Sequence, residues 1–304
     1  MGIFADRGRL AVLAVGLAAF FCAGILRAAP EIESWQTGKG AQVLFVAAPD
    51  LPMVDVRVVF HAGSARDGER PGVASLTQSM LTQGAGEWDA DAIAERLEAV
   101  GAKLGSGARR DMAYVSVRTL TRQPALDVAL DTVAAILTRP NFDPSDFERV
   151  RENTLVGLRR DEQDPGTVGK KAVYLQIFGS HPYAGDPSGT LESVATLKPE
   201  DLAAFHSRYY VARNAVVAIV GAVSREEAEA IAERVTVGLE AGAPASPLPP
   251  VPELKVGVLE ELDYNAIHWG LPLVKDAKED ARIRSVFEAA ARERERIEVE
   301  YEKN

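Results

Sequence analysis

Residues 181–223 read HPYAGDPSGTLESVATLKPEDLAAFHSRYYVARNAVVAIVGAV and decide how the chain folds. A proline opens the stretch Pro199–Tyr210, and the spacing of its apolar residues predicts a helix that accepts this proline in its first turn. Asn214–Ala222 is almost entirely apolar, which predicts a buried strand. Ser224 then opens the sequence Ser-Arg-Glu-Glu, so we expect it to cap a helix over Arg225–Leu239 with acidic residues in its first turn.

Patterns on the N-terminal side of this stretch predict an α+β fold. Alternating or continuous apolar runs predict strands over Gln42–Val46, Met53–Phe60, Lys103–Ala108 and Met112–Thr119. Helical spacing predicts helices over Val73–Thr82, Ala90–Val100, Pro124–Leu137, Pro144–Arg160 and Pro165–Phe178. Because strands come partly in hairpins and helices come in blocks, we expect a mostly antiparallel sheet with helices packed on one face.

The composition narrows the possible functions. The chain has 304 residues, of which 47% are hydrophobic and 26% charged, as in a globular protein. A net charge of −10 without a basic block argues against nucleic-acid binding, which needs clustered lysine and arginine. The single cysteine, Cys22, lies in the N-terminal apolar run. If that run is removed, the protein has no thiol for a disulfide, a cysteine-ligated metal or a nucleophile.

The chain ends carry targeting and linker signals. Residues 1–29 place two arginines before an uncharged apolar run and small residues after it, as in a secretory signal peptide or, if uncleaved, an N-terminal anchor. We therefore expect an exported protein in the periplasm or cell envelope, with membrane contact only through an uncleaved segment. Residues 30–241 are predicted to form the α+β domain. Residues 242–252 contain five prolines and predict a stiff, extended linker.

Three stretches resemble, in the family's order, the pitrilysin/insulinase family of zinc peptidases, peptidase family M16. They are Phe60–Ser64 with Gly72–Ala74; Pro140–Phe142 with the following helix FERVRENTLVGLRRDEQDP; and residues 181–223. The last is the most specific, through His181-Pro182-Tyr183, the pair Gly189-Thr190 and the strand ending at Gly221. The resemblance implies the α+β half-unit of M16 metallopeptidases, a LuxS-like fold.

The family's second unit is incomplete in this sequence. Leu262–Val274 resembles its opening strand, and the resemblance then stops. Lys275–Asn304 is a charged tract whose sparse apolar residues predict a helix with a thin apolar stripe, formed by Ile283, Phe287, Ala290, Ile297 and Tyr301. We therefore expect residues 253–304 to hold a truncated second unit followed by a charged helix, either a surface helix or one that docks a partner.

The zinc motif of the resembled family is erased. Family members use His-x-x-Glu-His on one helix, which places two histidines on one face and a general base between them, plus a distal glutamate. The aligned residues here are Ser75, Gln78 and Ser79, and the distal position falls at Val156 or Gly157. Serine is a poor zinc ligand beside imidazole, and glutamine cannot take a proton from water. We therefore expect no catalytic residue, no metal and no other cofactor in this chain.

Other chemistry finds little support in the sequence. The four histidines, His61, His181, His206 and His268, are never three or four residues apart, so none pair on a helix as metal ligands. We expect His61 and His181 to be structural, and His206 to cap or pack. No Gly-x-Ser-x-Gly elbow and no phosphate-binding loop occurs. The polar helix face at the old motif either is a plain surface or still lines a substrate chamber.

The resemblance implies a specific role for such a chain. In two-chain M16 peptidases such as the mitochondrial processing peptidase, one chain carries the zinc motif and the partner lacks it. We therefore expect a non-catalytic, peptide-binding or scaffold subunit beside a zinc-bearing M16 homologue, with zinc only in that partner and extended peptide bound by strand addition. Two alternatives stay open: a divergent zinc metalloendopeptidase using another site, and a structural assembly subunit resembling the core proteins of the respiratory bc1 complex.

Overall fold

The computed structural model describes residues 31–252, and a six-stranded sheet in the order β1-β2-β8-β3-β7-β6 forms their framework. Its strands are β1 (Glu33–Gln36), β2 (Gln42–Ala47), β3 (Met53–Phe60), β6 (Lys103–Ala108), β7 (Ala113–Leu120) and β8 (Ala215–Gly221); β4 (Gly84–Ala85) and β5 (Trp88–Asp89) form a separate hairpin. Strands β2 and β8 are parallel, and the other neighbours in the sheet are antiparallel. The predicted mostly antiparallel sheet is confirmed.

Within the described residues, seven helices lie between β3 and β8 and one follows β8. They are α1 (Val73–Met80), α2 (Ala90–Glu98), α3 (Ala125–Thr138), α4 (Pro144–Asp161), α5 (Pro165–Phe178), α6 (Leu191–Thr196), α7 (Pro199–Tyr209) and α8 (Arg225–Thr236). Three short 3-10 turns lie between these elements: the first turn (Ser64–Arg66), the second turn (Pro182–Ala184) and the third turn (Ala212–Asn214). None of the helices in residues 31–252 has the length and apolar character needed to cross a membrane.

The predicted buried strand, β8, lies in the middle of the sheet. It pairs with β2 on one side and β3 on the other, and Val217 and Ile219 are fully buried. Gly221 ends the strand where backbones approach closely, since a Cβ there would lie 2.4 Å from the carbonyl oxygen of Met53. The apolar run Asn214–Ala222 therefore reflects burial between two neighbouring strands.

The helices pack on one face of the sheet, as the sequence predicts. Alternate residues of β3 are buried, including Val54, Val56 and Val58, and α1, α3 and α8 contact the strands of the sheet. Residues on the opposite face are less covered in the described part of the chain; Val220 is 42% exposed and Val216 is half-buried. One face thus carries the core and the other remains partly open.

Several elements are not predicted by sequence patterns. The edge strand β1 has exposed or half-buried side chains, and so lacks an apolar alternation. Helix α6 is only six residues long, and it is recognisable by the capping box that Thr190 forms with Ser193. Residues 242–252 contain neither helix nor strand, and their role as a boundary stays a prediction. The N-terminal segment with Cys22, the second unit with His268, and the charged tract lie outside the described residues.

Gly72 and Gly189, two glycines that carry the family resemblance, lie in close backbone contact. Gly72 has a φ of 94° and Gly189 a φ of 81°, both in the left-handed region. A Cβ on Gly189 would lie 2.5 Å from the carbonyl oxygen of Pro71, and one on Gly72 would lie 2.9 Å from that of Ser188. The contact presses the loop after the second turn against the start of α1.

Because of this contact, we expect a single added methyl group at Gly189 to lower the stability of the domain. Gly189→Ala should lower the free energy of unfolding by about 2 kcal/mol, because it combines an unfavourable φ with a backbone clash. Gly157→Ala is the matched control: it lies within α4 with no atom within 4 Å of its added Cβ, and should raise stability by roughly 0.5–1 kcal/mol. Urea unfolding followed by circular dichroism measures both, and equal stability of Gly189→Ala and the parent would contradict the prediction.

Candidate functional site

Helix α1 carries the positions aligned with the zinc motif, and its start is held by a half-buried carboxyl group. Asp67 accepts the backbone N–H groups of Gly72 at 2.7 Å and Ala74 at 3.0 Å, which satisfies two of the free donors at the helix start. Burial raises the pKa of Asp67 to about 7, while the two hydrogen bonds oppose this shift. The aspartate fixes the helix on which Ser75, Gln78 and Ser79 lie.

The two serines at the former ligand positions differ in environment. Ser75 is half-buried and Ser79 is exposed. The Ser79 hydroxyl donates a hydrogen bond to the backbone carbonyl of Ser75 at 3.0 Å, within the helix. Neither hydroxyl has the basicity of imidazole, and the Ser79 hydroxyl is engaged with its own helix.

Gln78, at the former base position, is part of the core. It is 3% exposed, and its Oε1 accepts the hydroxyl of Tyr210 at 2.8 Å. Its Nε2 is buried without a hydrogen-bond partner among the described residues. Sequence reasoning missed Tyr210, which lies 132 residues away and whose pKa burial raises far above its ordinary range.

The distal ligand position also offers no metal donor. Val156 and Gly157 both lie on the exposed side of α4, and Val156 is 60% exposed. Zinc prefers nitrogen and carboxylate ligands. The aligned positions offer instead two serine hydroxyls, the buried amide of Gln78, and either a valine side chain or a glycine. Across residues 31–252, no three His, Cys, Asp or Glu side chains form a group that could hold a metal ion. The residues present therefore do not fit the family's zinc.

The three described histidines lie in separate environments. His61 is exposed at the end of β3. His181 is buried and caps the second turn, its Nδ1 accepting the N–H of Tyr183 at 3.1 Å. His206 is half-buried on α7, with Nε2 2.9 Å from the carbonyl of Leu137, so this nitrogen donates. The structure thus gives His181 and His206 the capping and packing contacts that the sequence suggested.

An aromatic stack links His206 to the former active-site helix. The rings of His206 and Tyr210 stack at 4.7 Å, and Phe142 meets His206 edge-on at 5.8 Å. Tyr210 in turn binds Gln78. Burial lowers the pKa of His206 to about 4, with the hydrogen bond to the Leu137 carbonyl opposing the shift. The ring is therefore neutral at neutral pH.

The lowered pKa predicts acid sensitivity. Between pH 6.5 and 4 the unfolded chain binds a proton at His206 that the folded chain does not, so this histidine's contribution to stability is lost as pH falls. At pH 4.5 the loss should be about 2 kcal/mol relative to pH 7. Asp67 acts in the opposite direction: its pKa is raised in the folded chain, so its contribution to stability grows as the pH falls. The pH dependence of stability is therefore compared between the parent and a variant without His206.

The control for this prediction is His206→Gln, whose amide can still donate to Leu137. Urea unfolding at pH 7 and pH 4.5 should show that the variant loses about 2 kcal/mol less than the parent on acidification. Identical pH dependence in both chains would contradict a buried neutral His206.

Comparisons with known proteins agree with this fold. The family model for insulinase (peptidase family M16) matches residues 42–185, and the model for the peptidase M16 inactive domain matches residues 196–282. A crystal structure described as a peptidase M16 inactive domain from Pseudomonas fluorescens superposes with a TM-score of 0.72 at 38% identity, covering 74% of this chain and 55% of that chain.

Curated relatives include both peptidases and a non-peptidase. The uncharacterized zinc protease ML0855 of Mycobacterium leprae is 26% identical over 63% of this chain and 43% of its own length. The non-peptidase homolog YmxG of Helicobacter pylori is 26% identical over 56% of this chain and 39% of its own length. The chain spans less than half the length of these two relatives. Because the two family models together match well over half of its residues, this chain belongs to peptidase family M16.

Proposed function

We propose that this chain is a non-catalytic M16 subunit that binds peptide and supports a zinc-bearing homologue. The proposal rests on the residues that α1 carries at the positions of the zinc motif. Ser75, Gln78 and Ser79 replace both ligands and the base, and the base position is buried against Tyr210. A glutamine held in the core cannot activate water. The similarity to YmxG, named a non-peptidase homolog, supports the same conclusion.

The edge strand β6 supports peptide binding. Lys103–Ala108 pairs with β7 on one side and, within residues 31–252, with no strand on the other. Its residues Gly105, Ser106 and Gly107 are small, so an extended peptide can approach its backbone closely. Helix α1 packs against β6, which places the former motif helix beside this edge. An extended peptide added to β6 would lie next to that helix.

The open sheet face supports a role in assembly. Val220 is 42% exposed, and Leu44, Val46 and Val216 on the same face are half-buried. Apolar residues in this arrangement are typical of surfaces that another unit or chain covers. We propose that the chain acts in a complex with a motif-bearing M16 chain, outside the cytoplasm if residues 1–29 direct export.

Zinc content is the first measurement. The protein, purified alone and dialysed against trace zinc, should hold about zero zinc per chain by elemental mass spectrometry, because its aligned positions supply no ligand set. The variant Ser75→His/Ser79→His/Val156→Glu is the matched control and should gain up to about one zinc. A parent chain that holds about one tightly bound zinc would overturn the proposal in favour of a divergent metalloendopeptidase.

Peptide binding is the second measurement. A fluorescein-labelled unstructured peptide should bind the chain together with a zinc-bearing M16 homologue of the same organism more tightly than either protein alone. Ser106→Pro should weaken this binding, because proline removes a backbone donor from the edge strand β6. Ser34→Pro, in the opposite edge strand β1, is the control and should leave binding unchanged.

Two outcomes of this experiment would contradict the proposed role. Absence of binding in every combination would favour the structural assembly alternative. Cleavage of the peptide by this chain alone, abolished by a chelator, would favour the metalloendopeptidase.

A further inference from the structure

The proline-rich segment 242–252 runs along the domain and is bound to it. Just before it, the carbonyls of Glu240 and Ala241 accept the N–H groups of Ala212 and Arg213, at 2.8 and 3.0 Å. Gly242 then turns with a φ of 57°, and a Cβ there would collide with Val211 at 2.4 Å. This glycine directs the segment onto the surface near the third turn.

Three side chains then hold the backbone of the segment. Asn214 Oδ1 accepts the N–H of Ala245 at 2.9 Å, and the guanidinium of Arg66 donates to the carbonyl of Ser246. His181 Nε2 lies 3.0 Å from the carbonyl of Pro249 and donates to it. Asn214 lies in the third turn, Arg66 lies in the first turn, and His181 caps the second turn, and these turns are far apart in sequence.

The chemistry of this groove suits an extended proline-rich chain. Such a chain makes no internal backbone hydrogen bonds, and each proline leaves only its carbonyl available. Two donors, on Arg66 and His181, meet carbonyls, and the one acceptor, on Asn214, meets the N–H of Ala245, a non-proline residue. Because the prolines already restrict the conformations of the segment, little further conformational entropy is lost when it docks.

Asn214 and His181 are each held in place by a further hydrogen bond within the domain. Asn214 Nδ2 donates to the carbonyl of Tyr209 at 2.8 Å, and so its Oδ1 is fixed toward the segment. The second ring nitrogen of His181 is occupied by the N–H of Tyr183, which sets the tautomer that donates to Pro249. The receptor is therefore built into the domain rather than formed by the segment.

We propose that Arg66, His181 and Asn214 form a receptor for the extended segment 242–252, and that His181 is the positioning residue that fixes where the chain leaves this domain. The last of the three contacts, at Pro249, lies three residues before Pro252. This contact places Pro249 beside the second turn, which packs against α5. This inference does not depend on the proposed function.

A spin label on the segment tests the proposal in the full chain. Val251 is 53% exposed and accepts a nitroxide as Val251→Cys, with Cys22→Ser removing the other thiol. In this parent the label should report restricted motion. His181→Asn keeps the acceptor for the N–H of Tyr183 but loses the donor to Pro249, so it should raise the mobile fraction about five-fold, the effect of one lost hydrogen bond.

Three further variants separate the receptor from general destabilisation. His181→Gln extends an amide N–H to the place of Nε2, and should keep the label restricted. Arg66→Ala removes the donor to Ser246 and should free the label even if His181→Asn fails to fold. Arg70→Ala is the matched control, because the Arg70 guanidinium pairs with Asp201 at 2.5 Å rather than with the segment.

The mobility of the spin label in the four variants decides for or against the receptor. Mobile labels in His181→Asn and Arg66→Ala, with restricted labels in His181→Gln and Arg70→Ala and unchanged circular dichroism, support the receptor. Restricted labels in both His181→Asn and Arg66→Ala, or equal loosening in Arg70→Ala, overturn it. The measurement needs no zinc, peptide or partner chain, so its failure is distinct from failure of the proposed peptide-binding role.

Discussion

The insertion of β8 between β2 and β3 is the constraint on which the rest of the domain depends. β2 and β3 follow each other in sequence, yet they are joined in the sheet only through Ala215–Gly221, which arrives after seven helices. Asn214 fixes the start of this strand by donating to the carbonyls of Tyr209 and His61. Because closing so long a loop is entropically costly, the burial of Val217 and Ile219 must offset that cost.

Sequence patterns predict the elements that have local signals and miss those that depend on contacts with distant parts of the chain. Strands β3 and β8 and the helix that Ser224 caps carry strong local signals, since burial periodicity and capping act over a few residues. β1 is formed by pairing with β2 alone and buries little, so it has no signal of its own. The first and third turns are short and depend on contacts with distant loops, such as those of Ser64 and Ala65 with the hairpin at Arg109.

The candidate site is predictable in its positions but not in its contacts. Alignment with the zinc motif places Ser75, Gln78 and Ser79 on one helix, and the structure has that helix at Val73–Met80. The alignment cannot show that Gln78 meets Tyr210 in the core, or that His181 binds Pro249, because these partners are 132 and 68 residues apart. A single sequence records residue types, whereas such pairs are set by how the turns meet around β8.

The burial of Gln78 also connects the missing histidines of α1 with its missing charge. A glutamate at a site this enclosed would be desolvated, so it would either take up a proton or need a nearby cation such as a metal to stay ionised. With serines at positions 75 and 79 that cation has no ligands, so an ionised side chain at position 78 would destabilise the fold. A neutral amide of the same length keeps the acceptor for Tyr210 and removes the charge. The glutamine thus suits a buried position that has no cation beside it, and its cost is the Nε2 group, which has no hydrogen-bond partner among residues 31–252.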